Sequence, residues 1–246
     1  MSDIQTNQTP SSNQTLGILG GLGPMASAYF YELLTAHTDA QCDQDHIDLV
    51  LSSHAQTPDR TAFITGRSKE NPLQMMLQDI EKLEHWGVDM IAIPCNTAHY
   101  FYDALQSHSH IPIINIMEEN AHYLHEKKVS AVGILATDGT VRTHSYDRYM
   151  AQYQMTPIYP DANHQETLMS LIYDDIKKGR SVSKEAFLPI EHHMRALGCE
   201  RVILGCTELS LLKKEMHLGN YFIDSMEVLA RSIILAFGKR PIGFQL

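Results

Sequence analysis

Two of the four cysteines stand where a thiol can do chemistry. Cys95 closes the apolar run Met90-Ile91-Ala92-Ile93 and is followed by Asn96 and Thr97. Cys206 closes "VILG" and is followed by Thr207 and Glu208. An apolar run of this kind reads as a buried strand, and Asn and Thr are residues that cap helices. Each thiol is therefore expected at the junction of a strand and a helix. Unpaired backbone N–H groups and the helix dipole at such a junction favour the thiolate. A thiolate can take a proton from carbon and a thiol can return one. Two of them on opposite faces of one carbon would invert its configuration. A disulfide is the other option for two cysteines, and a lone buried cysteine is often only a small core residue. Cys42 and Cys199 lack the strand-end context and are expected to be structural.

The elements that must position these thiols alternate in type. Strands are predicted over 16–19, 47–53, 88–94, 111–116, 130–137, 200–205 and 220–224, with helical periodicity between most of them. In "NPLQMMLQDIEKLEHWG", Leu73, Met76, Leu77, Ile80 and Leu83 recur at helical spacing, with Pro72 at the start and Gly87 as the stop. Single helices are predicted over "DGTVRTHSYDRYMAQY" and "NHQETLMSLIYDDIKK", and Pro189 is expected to bend or divide another. Asp224 and Glu227 are spaced for a capping box on the last helix. Near-continuous apolar strands alternating with helices mean an α/β fold with parallel sheets.

A weak internal repeat sharpens this reading. "LGILGGLG" at 16–23 resembles "VGILATDG" at 132–139. "VDMIAIPCNTA" at 88–98 resembles "ERVILGCTEL" at 200–209, and "IPIINIMEE" at 111–119 resembles "NYFIDSMEV" at 220–228. The order is kept each time, and Cys95 and Cys206 are matching positions. Two similar Rossmann-like lobes related by a pseudo-twofold are expected, with the active site in the cleft between them, beyond the carboxyl ends of the strands. The expected division is a flexible tail over 1–15, a first lobe over 16–116, a second over 117–224, and a C-terminal helix over 225–246 that packs back on the first lobe.

Composition narrows the partners. Nineteen basic residues against 29 acidic ones give a net charge of −10, which argues against nucleic acid and against anionic membranes. No apolar run is long enough to span a bilayer, and the polar start "MSDIQTNQTPSSNQT" is not a secretory signal. A cytoplasmic protein with reduced thiols is expected. No CxxC or HExxH occurs, so no metal site is expected; "HSH" (108–110) and "HH" (192–193) fit polar surfaces. "GLGPMA" (21–26) matches G-x-G-x-x-A and has three readings: a dinucleotide turn, a tight glycine turn, or a loop that lets a small carboxylate reach the backbone. Against the first, Pro24 removes an N–H donor at the helix start.

At these residues the chain resembles the Asp/Glu racemase superfamily, and within it the cofactor-independent aspartate racemases. "GILGGLGPMAS" (17–27), "TPDRTAFI" (57–64), "PCNTAH" (94–99) and "GCTEL" (205–209) carry the resemblance, with "LATDGT" (135–140) and "YDDIKKG" (173–179) in support. Glutamate racemases are less similar: they usually open on Asp-Ser-Gly and carry a histidine where this chain has Glu208. The resemblance implies racemisation of an acidic amino acid, aspartate or glutamate, without pyridoxal phosphate or metal, by a homodimer. Cys95 and Cys206 would be the acid/base pair. Asn96, Thr97, Thr137, Thr140 and Thr207 would line the α-carboxylate and amino group. Arg60 would clamp the side-chain carboxylate, with Lys177 as a second cation. Glu208 would bind the ammonium or cap a helix, and Met25 and Gln56 would complete the pocket. His99 either tunes Cys95 or is a plain helix residue. Other superfamily carbon-acid enzymes (a hydantoin racemase or a decarboxylase) and a non-catalytic amino-acid-binding protein are the alternatives.

Overall fold

The computed structural model describes residues 14–244. The first half runs β1 (Thr15–Gly20), α1 (Pro24–Ala36), β2 (Asp48–Ser53), α2 (Arg60–Ile64), α3 (Leu73–His85), β3 (Met90–Ala92), α4 (Tyr102–His108), β4 (Ile113–Ile114) and α5 (Ile116–Glu126). The second runs β5 (Ala131–Leu135), α6 (Asp138–Arg142), α7 (Asp147–Gln152), β6 (Thr156–Ile158), α8 (Ala162–Ser170), α9 (Lys184–Ala196), β7 (Arg201–Leu204), α10 (Thr207–Met216), β8 (Phe222–Asp224) and α11 (Ser225–Ala236). Among the described residues these strands form two four-stranded parallel sheets, ordered β2-β1-β3-β4 and β6-β5-β7-β8. The two orders are the same, so the sequence repeat is a repeat of topology. The tail expected over 1–15 lies outside the described residues except for its end, where Thr15 already pairs with Asp48 in β1 and β2.

Side chains alternate across each strand, and the core follows that period. Leu16 and Ile18 of β1, Ala92 of β3, Val132 and Ile134 of β5 and Ile203 of β7 share one buried cluster. Leu19, Ile91 and Ile93 face the opposite way, into a second cluster with Met76, Ile80 and Leu83 of α3. Leu135, Val202 and Leu204 likewise enter a third cluster, with Phe187, Ile190 and Met194 of α9. The middle cluster draws on both sheets and joins the lobes. α5 and α11 pack on each other; α5 also touches α7 of the second lobe, and α11 touches α1 of the first.

Several elements differ from the sequence reading, each for a local reason. The strand expected over 111–116 ends at Ile114, because the Asn115 side chain accepts from Met117 N and Glu118 N and starts α5. The helix expected over 138–153 is split into α6 and α7 at His144, whose φ of 50° is left-handed. The helix expected over 163–178 loosens after α8 into a π-turn, Leu171–Asp175, and a 3₁₀ turn, Ile176–Lys178, closed by left-handed Gly179. Pro189 lies inside α9 without dividing it. β6 and α5 had no counterpart in the sequence reading. No helix among the described residues is long and apolar enough to cross a membrane.

The expected capping box at α11 is only half present. Asp224 Oδ1 accepts from Met226 N at 2.8 Å and from Ser210 Oγ at 2.6 Å, but Glu227 pairs with Lys213 at 2.8 Å instead of returning to the cap. Asp224 is fully buried and its Oδ2 has no hydrogen-bond partner. Burial first, then Glu227, push its carboxyl up to about 6, against the opposing pull of Lys213; Tyr29 also faces it. Below about pH 4 both folded and unfolded chains hold this proton. Between about pH 4 and 6 the unfolded chain releases it first, so stability falls as pH rises and the full cost, on the order of 2–3 kcal/mol, is present above 6. Asp224→Asn keeps the capping oxygen and removes the charge. It is expected to raise the melting temperature at pH 8 and to leave it unchanged near pH 4. An equal shift at both pH values would remove the carboxylate as the cause.

Candidate active site

Cys95 lies just past the end of β3, and Cys206 just past β7, as the N-cap of α10. Both are buried, and both line one inner cavity together with Arg60, Asn96, Thr97, Thr137, Lys177, Thr207 and Glu208. Parallel strands of two similar sheets end here, so each lobe delivers one thiol. The cavity is only about 10 Å³, roughly the room of one water. An amino acid enters only when these walls part. A larger cavity of about 320 Å³ lies on the outer side and shares Asp59, Arg60, Lys177 and Glu208 with the inner one.

The two thiols have different neighbours. Cys206 Sγ donates to Glu208 Oε2 at 3.0 Å, and Glu208 Oε1 lies 3.4 Å from Lys177 Nζ. The helix-start position favours the thiolate, and the Glu208 N–H does act in that direction. Burial and the Glu208 carboxylate outweigh it and push the Cys206 thiol well above its ordinary range. The dipole expectation therefore fails for Cys206, because desolvation is the larger effect. Cys95 faces Arg60. Burial opposes the Arg60 charge, but Cys95, Asp59 and Glu208 more than offset this and hold the guanidinium protonated. Burial opposes the Lys177 charge too, and Glu208 and Cys206 reverse the effect.

Arg60 Nη1 donates to Thr57 O at 3.3 Å and Pro58 O at 3.1 Å, and Nη2 donates to Leu22 O at 2.5 Å. Its Nε is buried without a partner. The side chain thus ties the glycine loop after β1 to the loop after β2. Asp59 caps α2 through Ala62 N at 2.6 Å and accepts from Tyr173 OH at 3.1 Å, so the π-turn closes over Arg60.

Threonines fill the seam between the lobes. Thr61 and Thr97 Oγ1 lie 3.0 and 2.8 Å from Thr137 Oγ1, and Thr140 Oγ1 donates to Thr97 Oγ1 at 3.3 Å. Gly139 makes this closeness possible: a Cβ there would meet Thr97 Cγ2 at 2.9 Å and Thr61 Cα at 3.2 Å. Asn96 is engaged with the protein at both ends, donating to Ser225 Oγ at 2.9 Å and accepting from Tyr146 OH at 2.6 Å. It braces the cavity wall across the lobes.

His99 is buried, and burial pulls its pKa down to about 4. The ring is neutral. Nε2 accepts from Ile116 N at 3.3 Å, so Nδ1 carries the hydrogen and donates to Cys95 O at 2.9 Å. His99 holds the Cys95 backbone against the start of α5 rather than titrating beside the sulfur.

The remaining expected residues fall elsewhere. Met25 is 69% exposed and lines the outer cavity, while Gln56 is exposed and lines neither cavity. Thr140 is buried behind Thr97. Leu22, Asp59, Thr61 and Tyr173 line the inner cavity and were missed, although Asp59 and Thr61 flank Arg60 in "PDRTA". Of the three readings of "GLGPMA", the backbone takes the tight turn. Gly21 has φ of 83°, a Cβ there would meet His54 N at 2.4 Å, and its N–H is taken by Ser27 Oγ at 2.9 Å.

Away from this cavity, Asp161, His164 and His193 approach one another closely enough for a metal to be considered. The geometry does not fit one. The His164 and His193 rings stack at 3.9 Å and 5°, so their lone pairs lie in parallel planes and do not converge. His193 Nε2 already accepts from Asp161 N at 3.2 Å.

The sequence profile of the Asp/Glu/hydantoin racemase family matches residues 19–233. A broad-specificity amino-acid racemase of Bacillus subtilis is 25% identical over 228 residues, 90% of this chain and 97% of that protein. A glutamate racemase of Aquifex pyrophilus is 27% identical over 174 residues, 68% of this chain and 66% of that one. Among solved structures, the aspartate racemase of Picrophilus torridus superposes with a TM-score of 0.80 at 30% identity, covering 94% of this chain and 96% of its own.

Proposed function

The chain belongs to the Asp/Glu/hydantoin racemase family, and from that premise we propose that it is an amino-acid racemase in which Cys95 and Cys206 form the acid/base pair. The observation that carries this reading is that each lobe brings one strand-end thiol to the same small cavity. One sulfur, as thiolate, takes the α-proton. The carbon flattens, and charge spreads onto the substrate carboxylate, which hydroxyls and N–H groups of the threonine-lined seam stabilise. The other sulfur, as thiol, protonates the opposite face. In the resting protein Cys206 holds its proton, so Cys206 serves first as the acid.

The substrate is proposed to be an acidic amino acid, aspartate or glutamate. Arg60 and Lys177 are the cations at the cavity, and the free Nε edge of Arg60 suits a carboxylate. Lys177 would trade its partner Glu208 for the substrate on binding. A homodimer in the cytoplasm is part of the same reading; sedimentation that yields only monomer would remove the first half.

The test is incubation of single enantiomers of aspartate and glutamate in deuterated water, with no cofactor added. Inversion with deuterium at the α-carbon of the product is expected. Unchanged, undeuterated amino acid in every case would overturn the proposal.

A further inference from the structure

The buried stripe of α3 is Met76, Asp79, Ile80 and Leu83. Helical spacing calls for an apolar residue at 79, and the chain places there a carboxylate that is only 1% exposed. A buried carboxylate is costly unless it is paired, and both oxygens of Asp79 are taken. Oδ1 accepts from Lys82 Nζ at 2.8 Å, on the same helix. Oδ2 accepts from His54 Nδ1 at 2.8 Å, across to the loop after β2. Lys82 is 58% exposed and meets water with or without Asp79; the bond to His54 is the one that ties α3 to another segment. That bond begins a continuous path. His54 O accepts from Thr57 N at 3.2 Å and from Thr57 Oγ1 at 2.9 Å. Thr57 O in turn accepts from Arg60 Nη1 at 3.3 Å. Asp79 lines neither the inner nor the outer cavity, yet hydrogen bonds through His54 and Thr57 join it to the guanidinium.

We propose that Asp79 is a positioning residue for substrate recognition: through His54 it fixes the path of the loop over 54–59, and so the place of the Arg60 guanidinium against a side-chain carboxylate. The inference rests on the reading of Arg60 as the clamp of an acidic substrate. The loop belongs to no strand or helix, so its tie points decide its course. Its start is pinned at the sheet. His54 N donates to Gly20 O at 3.3 Å, and Gly21 leaves the His54 backbone room that a Cβ would invade at 2.4 Å. These ties fix where His54 leaves β2. The ring docked on Asp79 fixes how the next residues turn, with Gln56 toward solvent and Thr57 inward. Guanidinium–carboxylate recognition is directional, so a small swing of this loop weakens the hold on the substrate side chain. Both sulfurs stand at other strand ends and keep their places. The effect of losing Asp79 therefore falls on KM rather than on kcat.

The experiment is steady-state kinetics of the full chain on aspartate and glutamate. Asp79→Ala keeps a strong helix former in α3. It is expected to raise KM for the better substrate about tenfold, with kcat within about twofold of the parent. His54→Ala should do the same. The double variant should show the KM of His54→Ala alone, because both residues act along one path. His54→Asn sets an amide N–H near the place of Nδ1 and should restore most of the parental KM. The two His54 variants decide the matter if Asp79→Ala unfolds. Lys82→Ala removes the other partner of Asp79 and should leave KM unchanged. A parental KM in Asp79→Ala, increases that multiply in the double variant, or an equal rise in Lys82→Ala would overturn the inference. So would a His54→Asn variant no better than His54→Ala, or a loss confined to kcat. If Arg60→Ala itself leaves KM unchanged, the clamp reading fails. If Arg60→Ala raises KM and Asp79→Ala does not, only the positioning role fails.

Discussion

Replacing Cys95 or Cys206 with alanine is expected to stop net racemisation, each by about a thousandfold, and to leave each variant with one half-reaction. A protein that keeps only Cys206 can still take and return the α-proton on one face. A protein that keeps only Cys95 can do so on the other. In deuterated water each variant should therefore label one enantiomer without inverting it, and the two variants should label opposite enantiomers. The physical basis is that the sulfurs arrive from different lobes, so neither can reach round the substrate to the face of the other. Both are buried, which keeps bulk water from standing in freely as the acid. Nuclear magnetic resonance of the α-position reads both outcomes. If both variants labelled the same enantiomer, the opposed geometry would be wrong; if either kept the parental rate, that cysteine would have no part in the chemistry.

Arg60→Lys is expected to be nearly as damaging as Arg60→Ala, on two separate counts. The guanidinium holds the carbonyls of Leu22, Thr57 and Pro58 at once. A single ammonium cannot span all three, and each buried carbonyl left unpaired costs about 1–3 kcal/mol. The melting temperature should fall by about 5–10 °C. The guanidinium also faces Cys95, and its unpartnered Nε–H is the donor left for a substrate carboxylate. A lysine has no planar guanidinium to present that donor, so kcat/KM for an acidic amino acid should fall by about a hundredfold. Melting curves and kcat/KM on the lysine variant check the two counts independently. A variant that melts with the parent would remove the bracing role, and one that retains kcat/KM would remove the clamp.

The parts of the site legible in the sequence are those written locally. A buried parallel strand is a short apolar run, its end is a polar capping residue, and Cys95 and Cys206 sit on that boundary in both halves. Arg60, Thr97, Thr137, Lys177, Thr207 and Glu208 are expected at the site only through the family resemblance, and the structure brings them to one cavity. Gln56 shows the limit: its neighbour Thr57 turns inward while Gln56 faces solvent, and only the path of the loop after β2 decides between them. The π-turn that carries Tyr173 and Lys177 reads as ordinary helix in sequence. Its Tyr173 donates to Asp59, more than a hundred residues earlier in the chain, a contact no local pattern records.

Sequence alone determined the alternation of strand and helix, the repeat that makes two lobes, and the two thiols at matching strand ends, because each rests on spacing within a few residues. Tertiary structure alone decided the state and partners of those residues. Asn96 became a brace because Tyr146 and Ser225 close on it, and His99 is neutral because burial outweighs the hydrogen bond to Cys95 O that would favour its charged form. Cys206 holds its proton although it caps a helix, because burial and Glu208 outweigh the helix start. Desolvation and hydrogen-bond partnership depend on which distant segments meet, and no local pattern in the chain records that.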